Sequence, residues 1–115
     1  MTTAIATRRW VAVCGYDDLL PERAVAALVD GVQVAIVRTF DGAVHAVGNV
    51  DPFTGAAVIS RGIVGTRDGV ATIASPLYKQ VFDLETGCCL DDDAMSLGSY
   101  AVRVEDDRIE VRVGY

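Results

Sequence analysis

The chain has 115 residues, with 10 Lys+Arg against 16 Asp+Glu and one histidine, so its formal net charge is −6 at pH 7. That balance argues against a nucleic-acid ligand, because phosphate binding draws on basic patches and here the cations are a single lysine, Lys79, and nine scattered arginines. One domain over residues 1–115 is expected, burying roughly two-thirds of its unfolded surface, and 51% hydrophobic with 23% charged residues suits a packed core rather than general disorder.

From the N-terminus, residues 1–8 carry no apolar run of the kind that opens a secretory signal and read as a flexible lead-in. No later stretch approaches the roughly 18 apolar residues of a membrane helix. Three cysteines, Cys14 and the adjacent Cys88 and Cys89, make a poor disulfide framework and suit a reducing compartment. A soluble, cytoplasmic chain is the expectation.

Eighteen valines dominate the apolar set, and β-branched side chains fit a pleated surface better than a helix. Strands are expected near Trp10–Cys14, Arg23–Leu28, Val32–Arg38, Ala43–Val47, Val70–Ala74, Val81–Asp83, Tyr100–Glu105 and Arg108–Val113. Between them, Asp30-Gly31, Asp41-Gly42 and Asp68-Gly69 are hairpin signals, and Asp106-Asp107 makes a fourth turn. Tyr16-Asp17-Asp18 can open a short helical turn that Pro21 stops. In the last hairpin Ile109, Val111 and Val113 alternate with Arg108, Glu110 and Arg112, giving one buried and one wet face. With no long helical period anywhere, the fold class is all-β, a small sandwich or barrel of antiparallel hairpins.

Two segments break this rhythm, Gly48–Gly62 and Ser75-Pro76-Leu77-Tyr78-Lys79-Gln80, and loops on a rigid β scaffold are where function is usually carried. Ala46-Val47-Gly48-Asn49-Val50-Asp51-Pro52-Phe53-Thr54-Gly55, then Ser75-Pro76-Leu77-Tyr78, then Val81-Phe82-Asp83-Leu84-Glu85-Thr86-Gly87 resemble the Rieske-type ferredoxin domain, from Trp10 to Val113. In that family the first loop reads Cys-x-His-x-Gly and the second Cys-Pro-x-His-Gly, and the two Cys and two His hold a [2Fe–2S] cluster. Laid onto this chain, the Cys positions fall on Asp51 and Ser75 and the His positions on Phe53 and Tyr78, while Lys79 stands where the family has a glycine. The resemblance therefore implies the scaffold without the ligands, so neither a cluster nor any other metal is expected on this chain.

With Asn49-x-Asp51-Pro52-Phe53 in the first loop, Ser60-Arg61-Gly62 shortly after, and Ser75-Pro76-Leu77-x-Lys79-Gln80-x-Phe82, the chain is similar within that family to the small subunits of assimilatory NAD(P)H-dependent nitrite reductases. That implies a partner, a large subunit carrying siroheme, [4Fe–4S], FAD and NAD(P)H, and a supporting role for this chain in reducing nitrite to ammonium. No residue is then assigned to catalysis. Asp51, Pro52, Phe53, Pro76, Tyr78 and Lys79 become the candidate docking residues. Phe53 and Tyr78 are expected to fill the space of the missing cluster, with Ser75 or Asp51 as partner to the Tyr78 hydroxyl.

Other readings stay open at this point. The chain could be a stand-alone regulatory module for another redox enzyme, or an enzyme using Tyr78, Lys79 and Asp51 as acid–base groups. A Ser75/His45/Asp51 triad has the residue types but no nucleophile-elbow motif. Asp51 before Pro52 also reads as an ordinary turn starter. The run Asp91-Asp92-Asp93 reads as a solvated turn or an acidic docking patch.

Overall fold

A computed structural model describes residues 9–113. The expected lead-in over residues 1–8 lies outside the described residues. Nine strands follow in chain order among the described residues: β1 (Val11–Gly15), β2 (Arg23–Val29), β3 (Val32–Arg38), β4 (Val44–Gly48), β5 (Ile63–Arg67), β6 (Val70–Ala74), β7 (Val81–Asp83), β8 (Ser99–Glu105) and β9 (Arg108–Arg112). They build a six-stranded sheet in the order β1-β9-β8-β4-β3-β2 and a three-stranded sheet in the order β5-β6-β7, every pairing antiparallel. The larger sheet curls until its edges β1 and β2 approach one another, which makes a nearly closed barrel.

Tight turns set the register. Asp30 and Gly31 have φ of 47° and 83°, Asp68 and Gly69 51° and 82°, and Asp106 and Asp107 51° and 62°. Two consecutive residues in the left-handed region match the twist of the strands they join, as two-residue hairpins require. Asp41-Gly42 behaves differently, because only Gly42 (φ 90°) enters that region. There Thr39 N–H donates to the Ala43 carbonyl at 2.9 Å, and the Asp41 carboxylate accepts from the Thr39 hydroxyl and from Ala43 N–H.

Strand β3 explains why one run is apolar on both faces. Ala35 and Val37 join a core between the sheets with Val47, Ile59, Ile73, Phe82 and Leu84. Val34 and Ile36 point the other way, into the curl, with Ala46, Ile109, Val111 and Leu19. A strand covered on both sides reads as a continuous hydrophobic run, and each valine or isoleucine in it contributes about 1.5–3 kcal/mol on full burial.

The expected strands all form, with ends shifted by a residue or so, and the turn at Tyr16–Asp18 is a 3-10 turn. In the last hairpin Ile109 and Val111 are fully buried, whereas Val113 is only half-buried. Strand β5 went unanticipated. Its sequence Ile63-Val64-Gly65-Thr66-Arg67 is broken by a glycine and does not alternate, yet it pairs with β6 along its whole length. A second 3-10 turn, Ile59–Arg61, lies inside the irregular stretch before it and buries Ile59.

Candidate functional site

The two irregular segments follow strands of different sheets. Strand β4 delivers the chain into the first loop and β6 into the second, and the two loops meet. Asn49, almost fully buried, anchors the first: its side-chain oxygen accepts from Ser60 N–H at 2.8 Å and its carbonyl from Ile59 N–H at 3.1 Å. The role of Ser60-Arg61-Gly62 follows from packing. A Cβ on Gly62 would lie 2.2 Å from the Ala74 carbonyl oxygen, so glycine lets this loop pass directly beneath the end of β6, one residue before Ser75.

Asp51 organises the first loop. Its N–H donates to the Ala56 carbonyl at 2.8 Å, its carbonyl accepts from Gly55 N–H at 2.7 Å, and its carboxylate Oδ1 accepts from Phe53 N–H at 2.8 Å. The second loop is closed by Ser75, whose N–H donates to the Gln80 carbonyl at 2.9 Å and whose carbonyl accepts from Lys79 N–H at 3.1 Å. Asp51 and Ser75 are 0% and 1% exposed, and the Ser75 hydroxyl donates to Asp51 Oδ2 at 2.6 Å. None of the three ion pairs among the described residues involves Asp51.

The aromatic residues do not fill a void. Tyr78 is 70% exposed and Leu77 46%, so the second loop points outward, and Asp51 and Ser75 satisfy one another instead of the Tyr78 hydroxyl. Phe53, 37% exposed, rests one face on the buried Phe82, with ring centroids 6.4 Å apart and planes tilted by 54°. Pro76 and Lys79 are exposed beside Tyr78, whereas Pro52 is only half-buried. Lys79 has φ 63°, a conformation natural to glycine and strained for lysine. Leu77 belongs to the same exposed tip and was not singled out in the sequence; an apolar residue between Pro76 and Tyr78 in a turn was the available signal.

The sequence Phe82-Asp83-x-x-Thr86-Gly87 is a structural turn. Asp83 Oδ1 accepts from Glu85 N–H at 2.7 Å and Thr86 N–H at 3.3 Å, and Gly87, at φ 82°, sits against the backbone of Gly98.

His45 lies at the start of β4, away from these loops, where it lines a cleft of about 530 Å³ with Glu22, Asp41 and Asp83. The conceivable triad is therefore not assembled: Ser75 and Asp51 meet, and His45 is elsewhere. Asp41 is held below the usual carboxylate range by the Thr39 hydroxyl, then by Ala43 N–H, with burial opposing. Burial, helped by Asp18, pushes the Cys14 thiol up, so it stays protonated. Asp91 is tied to Arg67 at 2.9 Å, and Asp92 Oδ1 caps the turn at Ala94 N–H, while Asp93 is exposed.

A [2Fe–2S] cluster of the kind implied by the resemblance needs thiolate and imidazole donors. The four corresponding side chains are a carboxylate and a hydroxyl hydrogen-bonded to each other, a phenyl ring packed on Phe82, and an outward phenol. These residues do not fit the group. Among the described residues no three His, Cys, Asp or Glu side chains come together in a way that could hold a metal ion. No helix among them is long and apolar enough to cross a membrane.

Comparison with known proteins places these loops in context. Residues 9–112 match the Rieske-like [2Fe-2S] domain family. The chain is 41% identical over 105 residues to the nitrite reductase (NADH) small subunit of Escherichia coli K12, covering 90% of this chain and 97% of that protein. A crystal structure of a candidate NADH-dependent nitrite reductase small subunit from Mycobacterium tuberculosis superposes with a TM-score of 0.89 at 55% identity, covering 93% of this chain and 97% of that one. A third relative is a nitrite reductase [NAD(P)H] large subunit from Klebsiella oxytoca, 32% identical over 94% of this chain but only 11% of its own length.

Proposed function

Because the chain belongs to the Rieske-like [2Fe-2S] domain family, among the small subunits of NAD(P)H-dependent nitrite reductase, we propose that it works as a docking subunit for the large subunit of that enzyme. The observation that carries this reading is the similarity to a small subunit along nearly its whole length: 97% of the E. coli protein aligns with this chain at 41% identity. The Klebsiella relative supports physical association, because there a segment similar to this chain shares a polypeptide with the rest of a large subunit.

The contact face in this reading is the loop tip. Phe53, Leu77 and Tyr78 offer apolar and aromatic area with few rotamers to freeze, the kind of side chain that dominates interface energetics. Lys79 adds one charge at the rim, and Asp51, Pro52 and Pro76 fix the backbone that presents them. Chemistry on nitrite belongs to the large subunit, whose siroheme, [4Fe–4S], FAD and NAD(P)H complete the complex in the cytoplasm. This chain contributes no redox group: its loops hold no thiolate or imidazole with which to bind one.

Mixing the purified chain with its cognate large subunit tests the reading. Co-elution on size exclusion is expected, with Tyr78→Ala and Leu77→Ala each leaving the fold intact and weakening the complex at least about tenfold, as truncation of a buried interface anchor does. Absence of any complex with the unaltered chain contradicts it.

A further inference from the structure

The buried pair Asp51–Ser75 is not explained by docking, since both residues lie beneath the surface. Its hydrogen bonds extend outward on both sides. Phe53 N–H donates to Asp51 Oδ1 at 2.8 Å, the Ser75 hydroxyl donates to Asp51 Oδ2 at 2.6 Å, and Leu77 N–H donates to Ser75 Oγ at 3.3 Å. One unbroken relay therefore joins the backbone beneath Phe53 to the backbone beneath Leu77. Those are the residues that stand exposed at the tips of the two loops.

We propose that this relay is the element that sets the spacing of the two loops, standing where the family resemblance places the two cysteine ligands of a cluster and replacing a metal cross-link by a hydrogen bond. Asp51 and Ser75 are positioning residues in this sense: they touch no partner and act through Phe53 and Leu77. The inference rests on the docking reading only for its consequence, the correct presentation of the tip. The relay itself stands on the geometry.

Several physical features favour a fixed link over an incidental contact. Both side chains are inaccessible to water, so solvent cannot substitute for either partner. A hydroxyl donating to a carboxylate is among the stronger hydrogen bonds available to a neutral donor. Removing the donor leaves a buried carboxylate oxygen without a partner, which is more costly than never having made the bond. Since no iron takes part, loop spacing is independent of metal supply and redox state.

The test uses the full chain carrying Ser75→Ala, with Ser75→Thr as the variant that keeps the hydroxyl. Amide hydrogen exchange is the primary readout. In Ser75→Ala, exchange at Phe53, Leu77 and Lys79 is expected to accelerate about tenfold or more relative to the unaltered chain while β3 and β9 amides keep their protection. Ser75→Thr is expected to restore slow exchange. Affinity for the large subunit is expected to fall about tenfold in Ser75→Ala although the protein remains folded. Unchanged exchange in the loops overturns the proposal, as does a lowered melting temperature with unchanged affinity, which is the mark of a merely structural bond. Stoichiometric iron in the unaltered chain after cluster reconstitution also overturns it. If the unaltered chain fails to bind the large subunit at all, the docking reading falls, and the exchange data still decide the relay.

Discussion

Lys79 is the residue whose side chain and backbone pull in different directions. It is the chain's sole lysine, it is exposed, and its φ of 63° is one that glycine adopts freely. A non-glycine residue in that region carries about 1 kcal/mol of strain, and such outliers gather where function over-determines the backbone. Lys79→Gly is therefore expected to leave the melting temperature unchanged or slightly raised, the relief of strain being offset by the entropy that glycine adds to the unfolded chain. It is expected to weaken association with the large subunit by a few-fold, more at low salt than at high, because a rim charge acts mainly through long-range attraction. Thermal melts alongside titrations at two salt concentrations check both halves. Equal affinity at both concentrations removes Lys79 from the contact.

Among the elements, the turns fix more than the strands do. Gly87 sits at φ 82°, and a Cβ there would lie 2.6 Å from the Gly98 carbonyl oxygen and 2.8 Å from the Gly98 nitrogen, both backbone atoms. Gly87→Ala is expected to destabilise by at least about 2 kcal/mol in urea denaturation, from strain and overlap together. Surface carboxylates act more gently and through pH. Asp30, beside Arg9, Asp91, beside Arg67, and Asp41, beside Thr39, are all held below the ordinary carboxylate value of 3.8. Groups lowered on folding contribute stability that is present above about pH 4 and lost as pH falls through their folded values. The melting temperature is thus expected to stay flat from neutral to about pH 5 and to drop below about pH 4, with Asp41→Asn showing a shallower drop.

Much of this was legible in the residues. The Asp-Gly turns and valine runs carry their own signal, so the hairpins follow from local chemistry. Strand β5 was hidden because Gly65 interrupts its run and its partner β6, not its own pattern, decides its state. The loop contents were half legible. Asp51, Phe53, Ser75 and Tyr78 stood out by resemblance, yet the sequence does not say which side of a turn a side chain takes. Tyr78 therefore read as a filler of space when it is an exposed tip. Asp51 and Ser75 read as partners for that tyrosine when they are partners for each other.

At the scale of the whole molecule, the two sheets hold two loops against one another through Asp51 and Ser75, and the only histidine of the sequence lines a separate cleft. The first and last strands among the described residues are neighbours, since Val11 of β1 pairs with Val111 of β9, a geometry compatible with joining such a domain into a longer polypeptide. The Klebsiella relative, in which a similar segment makes up 11% of a large subunit, is the joined arrangement.

The most direct test of the account is nitrite-dependent NAD(P)H oxidation by the cognate large subunit, measured with and without one equivalent of this chain. A rise in rate, or in the fraction of intact enzyme, on adding this chain is the predicted result. A large subunit that is equally active and equally intact alone would contradict the central claim.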